Sequence, residues 1–419
     1  MGCKVSRIDA MALGGTLHGA GLERAEDSGT AEVLVVHTCS VTDRADRDDR
    51  KLIRRLRREN PTATLVVSGC LAQRDPEGLA AMPEVDLVLG HGVKRAIPEL
   101  LEAREAGLLP GKVVWTPAHA ETGVLGTDAQ LDPDRTRAFL KVQEGCERRC
   151  SFCVVPSLRG PERSAPPAEV EREIRRLGTA GVAEVVLAGV HLANYGKDLG
   201  GDLLSLLRRL EESPPACRIR LSSIEPMEAG SSLVDHVTRS AVVVPHLHLP
   251  LQAGSDRVLR RMRRGITAER FERLAARATA NDRLHLATDV VVGFPGESDE
   301  EFEETLALVR RLRLASVHVF PFSPRSGTEG ARLFAESPVP RHVVRERAEV
   351  LRQVAGEKLG AFRAAAAGSL ADVVALRGGR GLTDNYLDVK LADGQAPGTR
   401  FAARLSASDD GALVAVAGC

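Results

Sequence analysis

The chain has 419 residues, enough for roughly two to four domains. Its 57 basic and 57 acidic side chains balance, so the net charge gives no sign of a nucleic-acid or membrane partner. Its start lacks an apolar h-region, and no apolar run is long enough to span a bilayer. Together with eight tightly grouped cysteines, these features exclude a small disulfide-stapled secreted protein and a membrane protein, and they predict a cytoplasmic location.

The first segment, to about residue 120, alternates strand and helix patterns. The apolar runs 33–36, 64–67 and 85–89 are typical of buried parallel strands, and residues 43–58 are typical of a helix with acidic residues early and arginines late. This alternation predicts a small doubly wound sheet.

Two cysteines of this segment, Cys39 and Cys70, each directly follow a predicted strand. The carboxyl ends of parallel strands are where open α/β sheets place their sites, and Cys3 could join the pair from the amino terminus. A three-thiolate metal site and three buried free thiols are both compatible with this pattern.

A polar linker, residues 116–135, separates this segment from a longer strand–helix alternation. Six units in one run predict an open, partial (β/α)6 barrel rather than a full barrel of eight. The predicted strands are 137–143, 183–189, 217–223, 244–250, 284–292 and 315–321. The predicted helices are 167–180, 201–212, 228–239, 267–280, 297–313 and 341–367.

The first of these strands runs into three cysteines at the spacing C-x3-C-x2-C, namely Cys146, Cys150 and Cys153. Three thiolates can hold three irons of a four-iron cluster and leave the fourth iron open. A zinc loop completed by a distant residue, or three buried thiols, would have the same spacing. The loop is expected at the carboxyl-terminal mouth of the barrel.

Short Gly-rich and polar stretches follow the later strands and would face the same mouth, where glycine lets a backbone approach a ligand closely. They are 189–192, 222–226, 249–255 and 289–297. The arginine tract 260–264 is expected on a solvated helix face. From about residue 368, short strands separated by Gly, Asp and Pro predict a small β-barrel, a fold that does not by itself decide nucleic-acid binding.

With these motifs in place, the chain resembles the radical S-adenosylmethionine (radical SAM) methylthiotransferases along nearly its whole length. The loop Cys146-x3-Cys150-x2-Cys153 resembles the radical SAM motif, and Cys3, Cys39 and Cys70 resemble the ligands of the family's second cluster. The resemblance implies an amino-terminal methylthiotransferase domain over 1–120, a radical SAM partial barrel over 132–355 and a TRAM-like β-barrel over 360–419.

The resemblance also implies the cofactors, two 4Fe-4S clusters and S-adenosylmethionine. The open iron of the first cluster would bind S-adenosylmethionine, whose reductive cleavage gives a 5′-deoxyadenosyl radical, and the second cluster would supply sulfur. Contacts to S-adenosylmethionine are expected from the residues Phe152, Gly189, His191, Glu225, Gln252 and Asp289. No catalytic residue is expected beyond the cluster ligands.

Within the family, Gly2-Cys3-Lys4-Val5, Thr38-Cys39-Ser40 and Asp384-Asn385-Tyr386 are most similar to the branch acting on tRNA N6-threonylcarbamoyladenosine. The similarity to this branch implies methylthiolation at carbon 2 of adenosine 37, beside the anticodon. The expected partners are the tRNA anticodon loop and a reducing electron donor protein, with no membrane and no DNA.

The alternatives are a methylthiotransferase for isopentenyladenosine or for a ribosomal protein aspartate, and a non-catalytic RNA-binding protein with structural metal sites. Three positions depart from the family's usual residues: Ser6 and His37 stand where Asn is usual, and Ala165 where a second Arg is frequent. The departures predict altered surroundings for the second cluster and one missing phosphate or substrate contact.

Overall fold

The computed structural model describes residues 4–109, 111–117, 136–392, 394–408 and 412–417. The first unit is a four-stranded parallel sheet in the order β1-β2-β3-β4, flanked by helices. Its elements are α1 Lys4–Gly19, β1 Val33–Thr38, α2 Asp43–Glu59, β2 Thr64–Gly69, α3 Cys70–Arg74, α4 Pro76–Ala80, β3 Leu87–Leu89, a 3-10 turn His91–Ala96, α5 Ile97–Glu105 and β4 Val113–Trp115. The sheet confirms the predicted doubly wound topology.

The boundaries of α2 follow from local chemistry. The Thr42 hydroxyl caps the helix by accepting a hydrogen bond from the Ala45 N–H at 3.2 Å. Acidic residues occupy the first turn and arginines the last, which complements the helix dipole.

The second unit is an open barrel of six parallel strands, each followed by helical segments, with one additional two-residue strand that pairs antiparallel with the first. Its elements are β5 Ala138–Glu144, α6 Val155–Arg159, β6 Arg163–Ser164, α7 Pro167–Thr179, β7 Glu184–Gly189, the 3-10 turns Leu192–Asn194 and Lys197–Leu199, α8 Leu203–Glu212, β8 Arg218–Leu221, α9 Pro226–Arg239, β9 His246–His248, α10 Asp256–Arg261, α11 Ala268–Ala278, β10 His285–Val292, α12 Asp299–Arg311, β11 Ser316–Pro321, α13 Glu329–Glu336 and α14 Arg341–Ala366.

Strand pairing confirms the partial barrel. β5, β7 and β8 pair in parallel, as do β9, β10 and β11, and single bridges from Ile219 to Val243 and from Ser223 to His248 join the two sheets. Side chains alternate along each strand. On β5, Leu140 and Val142 belong to the apolar core beneath the helices, whereas Phe139 and Lys141 point to the opposite face of the sheet.

The third unit is a closed five-stranded β-barrel, as predicted. Its strands pair in the order β12-β13-β14-β16-β15, and its interior is small and apolar. They are β12 Leu370–Leu376, β13 Arg380–Thr383, β14 Asp388–Leu391, β15 Arg400–Ala407 and β16 Leu413–Ala417.

In the part of the chain that the structure describes, no helix combines the length and the apolar character needed to cross a membrane.

Candidate metal and cofactor site

The cysteine loop, residues 145–154, leaves the carboxyl end of β5 through a turn that only glycine fits. Gly145 has φ 77°, and a Cβ atom there would lie 1.9 Å from the Pro161 carbonyl oxygen. The Ser151 N–H donates to the Met262 carbonyl at 3.0 Å, and the Gly330 N–H donates to the Ser151 carbonyl at 2.6 Å. These bonds fix the loop against later parts of the barrel.

The three thiols of this loop lie close enough to influence one another. Burial raises the pKa of Cys146 and of Cys153 to about 12, and the neighbouring thiols add to the effect. A bound cation reverses this situation, because it deprotonates the sulfur that coordinates it. The loop therefore fits a group that brings positive charge to its three sulfurs, as an iron–sulfur cluster does.

Arg264 places a fixed positive charge beside Cys150. Its Nη1 lies 3.7 Å from the Cys150 Sγ, its Nη2 donates to the Pro250 carbonyl at 2.9 Å, and it forms an ion pair with Glu225. Only 6% of Arg264 is exposed, so the expectation of a solvated tract is wrong at this position. Arg264 turns inward because the chain leaves α10 through Arg263, whose backbone is left-handed.

A second set of side chains surrounds Cys146. The His191 Nδ1 lies 2.6 Å from a Glu162 carboxylate oxygen and 3.8 Å from the Cys146 Sγ. The His191 Nε2 lies 3.4 Å from Glu228, which also pairs with Arg148. One ligand atom each from Cys146, Glu162 and His191 fall within 4.8 Å of one another. Glu162 and Glu228 were not expected, because they meet His191 only through the fold.

The predicted rim residues lie within or shortly after the carboxyl-terminal halves of successive strands. Gly189 pairs with Gln143, and a Cβ there would meet the Gln143 side chain at 2.9 Å. Gln252 has a left-handed backbone, φ 75°, and its N–H donates to the Asp289 carbonyl at 2.8 Å. The structure thus brings Gln252 and Asp289 together.

The Asp289 carboxylate lies between two imidazoles. Its Oδ1 is 2.9 Å from the His248 Nε2 and 3.0 Å from the His318 Nδ1. Burial alone would raise the pKa of Asp289, but the hydrogen bonds from both histidines hold it well below its ordinary value. The carboxylate is ionised and can accept further hydrogen bonds from a ligand hydroxyl.

Phe152 is half-buried and packs against an apolar cluster that includes Ala253 and Phe294. Its ring therefore anchors the cysteine loop from inside. A contact between Phe152 and the adenine of S-adenosylmethionine stays a prediction.

The second group of cysteines gathers at the end of the amino-terminal sheet. Thr38 and Gly69 form the last aligned pair of β1 and β2, and Cys39 and Cys70 directly follow them. Gly69 allows this close approach, since a Cβ there would lie 2.4 Å from the Thr38 carbonyl oxygen. Cys3 lies outside the described residues. The nearby Ser6 hydroxyl donates to the same Thr38 carbonyl at 3.3 Å.

Cys70 contacts the segment that follows the cysteine loop. Its Sγ lies 3.7 Å from the Arg159 Nη2 and 3.3 Å from the His91 Nε2, and it shares an apolar cluster with Val154 and Leu158. Cys70 of the second group thus packs against α6, the helix that follows the cysteine loop.

The side chains at the three departures from the family pattern are all buried. Ser6 makes the hydrogen bond described above, and His37 lies 3.9 Å from the Asp9 carboxylate. Burial, and secondly the charge of Lys94, hold the pKa of His37 well below its ordinary value, so the ring is neutral. Ala165 belongs to the barrel core, where its N–H donates to the Val142 carbonyl at 2.8 Å.

Comparisons with known proteins place the chain among enzymes that modify tRNA. Residues 140–309 match the radical SAM superfamily, and residues 1–90 match a family described as uncharacterized protein family UPF0004. The chain is 35% identical to the threonylcarbamoyladenosine tRNA methylthiotransferase MtaB of Aquifex aeolicus, over 93% of this chain and 95% of that protein. It is 38% identical to MtaB of Bacillus subtilis, over 83% and 77% of the two chains.

Another relative carries a different substrate in its name. The tRNA-2-methylthio-N(6)-dimethylallyladenosine synthase of Mycobacterium tuberculosis (strain H37Ra) is 34% identical over 99% of this chain and 74% of that protein. Among solved structures, the radical SAM methyltransferase TsrM of Kitasatospora setae aligns with a TM-score of 0.57 and 16% identity. The alignment covers 75% of this chain and 70% of TsrM, and it supports the fold alone.

Proposed function

This chain belongs to the radical SAM tRNA methylthiotransferases, and on that premise we propose that it inserts a methylthio group at carbon 2 of N6-threonylcarbamoyladenosine 37 in tRNA. The reaction uses two 4Fe-4S clusters and S-adenosylmethionine, which when bound supply the radical and the sulfur. We assign one cluster to Cys146, Cys150 and Cys153, and the other to Cys3, Cys39 and Cys70.

One observation carries the proposal: Cys70 packs on the segment that follows the cysteine loop. Cys70 packs on Val154, which directly follows Cys153, and on Leu158 in α6, and Arg159 joins the same contact. A radical formed at one cluster has to act on a substrate that also reaches the other. The direct packing of α3 on α6 supports that arrangement, because it places Cys70, the first residue of α3, beside the helix that follows the cysteine loop.

The side chains around the first cluster have separable roles in this proposal. Arg264 places a guanidinium at Cys150, where it stabilises negative charge on sulfur. Glu162 and Glu228 orient His191 beside Cys146. Gly189, Glu225, Gln252 and Asp289 would hold the methionine and ribose parts of S-adenosylmethionine, and Phe152 would shield the cluster.

The choice of substrate branch rests on local motifs. The motifs around Cys3 and Cys39 are similar to the threonylcarbamoyladenosine branch, and two of the relatives named above bear that substrate in their names. The 34% identity to the dimethylallyladenosine enzyme is nearly as high, so overall identity does not choose between them. The modified adenine lies in a single-stranded loop, where it can be splayed into the site without opening a duplex.

Mass spectrometry of tRNA nucleosides tests the proposal. Cells lacking this gene should lose the methylthio form of threonylcarbamoyladenosine, and the wild-type gene should restore it. Loss of methylthio-isopentenyladenosine instead would reassign the substrate.

Three cysteine variants then separate the two clusters. In the purified enzyme, Cys150→Ala should abolish 5′-deoxyadenosine formation, whereas Cys70→Ala should retain it and lose methylthiolation. Cys217→Ala is the matched control, because Cys217 lies in the barrel core with its Sγ 3.9 Å from the Ile174 carbonyl oxygen, apart from both groups. Wild-type methylthiolation by Cys70→Ala would reject the second cluster.

A further inference from the structure

The last strand of the open barrel, β11, carries an aromatic ring on its inner face. Val317 and Val319 pack in the apolar core beneath the helices. Because side chains alternate along a strand, His318 and Phe320 lie on the opposite face, toward the inside of the barrel. Phe320 is 46% exposed. An exposed ring near the carboxyl-terminal mouth, where barrels of this kind place their chemistry, is a reason to look for a ligand that covers it.

His318 lies on the same face and is held in place by other side chains. Its Nδ1 is 3.0 Å from the Asp289 Oδ1, and the same oxygen is 2.9 Å from the His248 Nε2. The Ser223 hydroxyl lies 2.7 Å from the His248 Nδ1. Because the Nδ1 of His318 faces Asp289, its Nε2 points away from the carboxylate, and 55% of the side chain is exposed. His318 therefore offers a ligand one ring nitrogen at a fixed place.

This face of β11 adjoins the anchor of the cysteine loop. Phe320 and Val291 are aligned partners on β11 and β10, so their side chains stand next to each other on the inner face. Val291 packs against the same apolar cluster as Phe152, the residue that anchors the cysteine loop from inside. A ligand that covers Phe320 thus lies on the side of the barrel where the first cluster is assigned.

The segment that follows β11 also reaches the second group of cysteines. Arg325, only 2% exposed, donates from its Nη2 to the Ser40 carbonyl at 2.5 Å, and the same Nη2 lies 3.2 Å from the Asp46 carboxylate. Ser40 directly follows Cys39. The strand that carries Phe320 therefore runs from the surroundings of the cysteine loop to the segment beside Cys39.

The adenine that the proposed reaction modifies matches this surface in its chemistry. An adenine has two flat faces and nitrogen atoms along its edge, and this one comes from a single-stranded loop. RNA-binding proteins stack such unpaired bases on aromatic side chains and bind their edges through hydrogen bonds. Stacking of this kind contributes about tenfold to a hundredfold in affinity for each base.

On the basis of the proposed function, we infer that Phe320 stacks on the adenine that receives the methylthio group and that the His318 Nε2 meets the edge of this base. Stacking uses the face of the adenine, so the inference is the same for either group on N6 and does not depend on the substrate branch. S-adenosylmethionine also contains an adenine, and the experiment has to distinguish the two bases.

Binding of anticodon stem-loops to the reconstituted enzyme without a reductant tests this inference, because the radical reaction cannot start. One stem-loop carries threonylcarbamoyladenosine at position 37, and the other has an abasic site there. The wild type should bind the first about tenfold more tightly or better. Phe320→Leu should shrink that ratio to about twofold, whereas Phe320→Tyr, which keeps a ring, should preserve it. Equilibrium dialysis should give the same Kd for S-adenosylmethionine in Phe320→Leu and the wild type.

His318→Asn tests the second contact. The asparagine amide can still donate to Asp289 from the place of the Nδ1, but the Nε2 is lost. The ratio of the two affinities should fall about threefold, as expected for one hydrogen bond.

Val350→Ala is the matched control, because Val350 is an exposed apolar residue on α14, the helix that packs on the outer face of β11. It should keep the wild-type ratio, and iron content and thermal stability should show that every variant folds. An unchanged ratio in Phe320→Leu would overturn the inference and leave the proposed function intact, and so would weaker binding of S-adenosylmethionine with an unchanged ratio. Failure of the wild type to methylthiolate any tRNA stem-loop once reductant is added would overturn the proposed function and the inference with it.

Discussion

At the scale of single residues, Gln252 combines strain with a place at the predicted S-adenosylmethionine site. Its φ of 75° lies in the left-handed region, which costs a residue with a side chain about 1–2 kcal/mol. Its N–H donates to the Asp289 carbonyl and its carbonyl accepts from the Val291 N–H, both at 2.8 Å, so β10 holds the strained conformation. Such strain is typical of positions where a site needs the side chain.

The variant Gln252→Gly separates strain from binding. Glycine adopts this φ freely, so the free energy of unfolding should rise by about 1 kcal/mol. Loss of the amide should weaken binding of S-adenosylmethionine. Thermal denaturation and equilibrium dialysis of the reconstituted enzyme measure the two effects.

Arg263→Gly is the matched control for this prediction. Arg263 is exposed and also has a left-handed backbone, with φ 56°. The change should relieve similar strain and leave S-adenosylmethionine binding as in the wild type. Unchanged binding by Gln252→Gly would remove Gln252 from the site.

At the scale of elements, α1 is fixed to the barrel by one buried carboxylate. The Asp9 oxygens lie 2.5 Å from the Lys141 Nζ, 3.0 Å from the Lys94 Nζ and 3.0 Å from the Arg159 Nη2. Burial alone would raise the pKa of Asp9, but these three cations hold it well below its ordinary value. Asp9 therefore ties α1 to β5 and to α6, the helix that contacts Cys70.

Asp9→Asn should loosen this junction. Removing the charge leaves three buried cations short of an anion, and breaking a buried pair in this way costs about 3–5 kcal/mol. Because α1 follows Cys3, the second cluster should be lost first, and iron should fall from about eight toward about four atoms per chain. Iron analysis and 5′-deoxyadenosine formation, which should persist, measure this.

The control for Asp9→Asn is Asp282→Asn, which removes a carboxylate paired with Arg313 on the surface. Exposed pairs contribute about 0–1 kcal/mol, so iron content and stability should stay near the wild-type values. Full iron content in Asp9→Asn would show that α1 does not depend on this carboxylate.

These elements also show how far the sequence predicts the structure. Strands such as β7 and β10 were predicted within a residue or two, because unbroken apolar runs mark buried parallel strands. The helix α1 was not predicted, since its paired glycines, Gly14 and Gly15, disfavour an isolated helix and its packing on β5 stabilises it. The short elements β6, α10 and α13 were also missed.

Prediction from the sequence has a similar limit at the candidate metal and cofactor site. Cys146, Cys150 and Cys153 could be predicted as cluster ligands because their chemistry lies within eight residues of sequence. Arg264, Glu162 and Glu228 could not, because each reaches the cysteine loop from a distant segment and carries no local signature. Spacing predicts ligands on one loop, whereas charges that tune those ligands depend on the tertiary fold.

At the scale of the whole molecule, the terminal β-barrel docks on the amino-terminal ends of β8, β9 and β10, at the end of these strands away from the cysteine loop. Arg218, the first residue of β8, donates to the carbonyls of Asp372 and Leu382 at 2.6 and 3.0 Å. The Tyr386 ring lies 4.5 Å from His246 and 4.9 Å from the Arg220 guanidinium. The motif Asp384-Asn385-Tyr386 is thus part of the interface between the two barrels.

This interface depends on the acidic side chain of Glu184. Burial alone would raise the pKa of Glu184, but Arg220 above all, with Arg218 and Arg137, holds it well below 4.5. Its contribution to stability is therefore fully present above about pH 4.5 and is lost as the pH falls through the lowered pKa.

Glu184→Gln should loosen the docking of the terminal barrel. At pH 7 the variant leaves buried guanidiniums without their anion, and it should be less stable than the wild type by about 3–5 kcal/mol. Below about pH 4.5 the wild type loses the contribution of the ionised carboxylate and the variant has none to lose, so the difference should narrow. Calorimetry of the metal-free protein at pH 7 and pH 4 measures both effects.

Glu269→Gln, at an exposed pair with Arg273, should change neither the stability at pH 7 nor its dependence on pH. A difference that grows on acidification would mean that Glu184 is protonated in the folded protein, and the two barrels would then be held by apolar contacts and backbone hydrogen bonds alone.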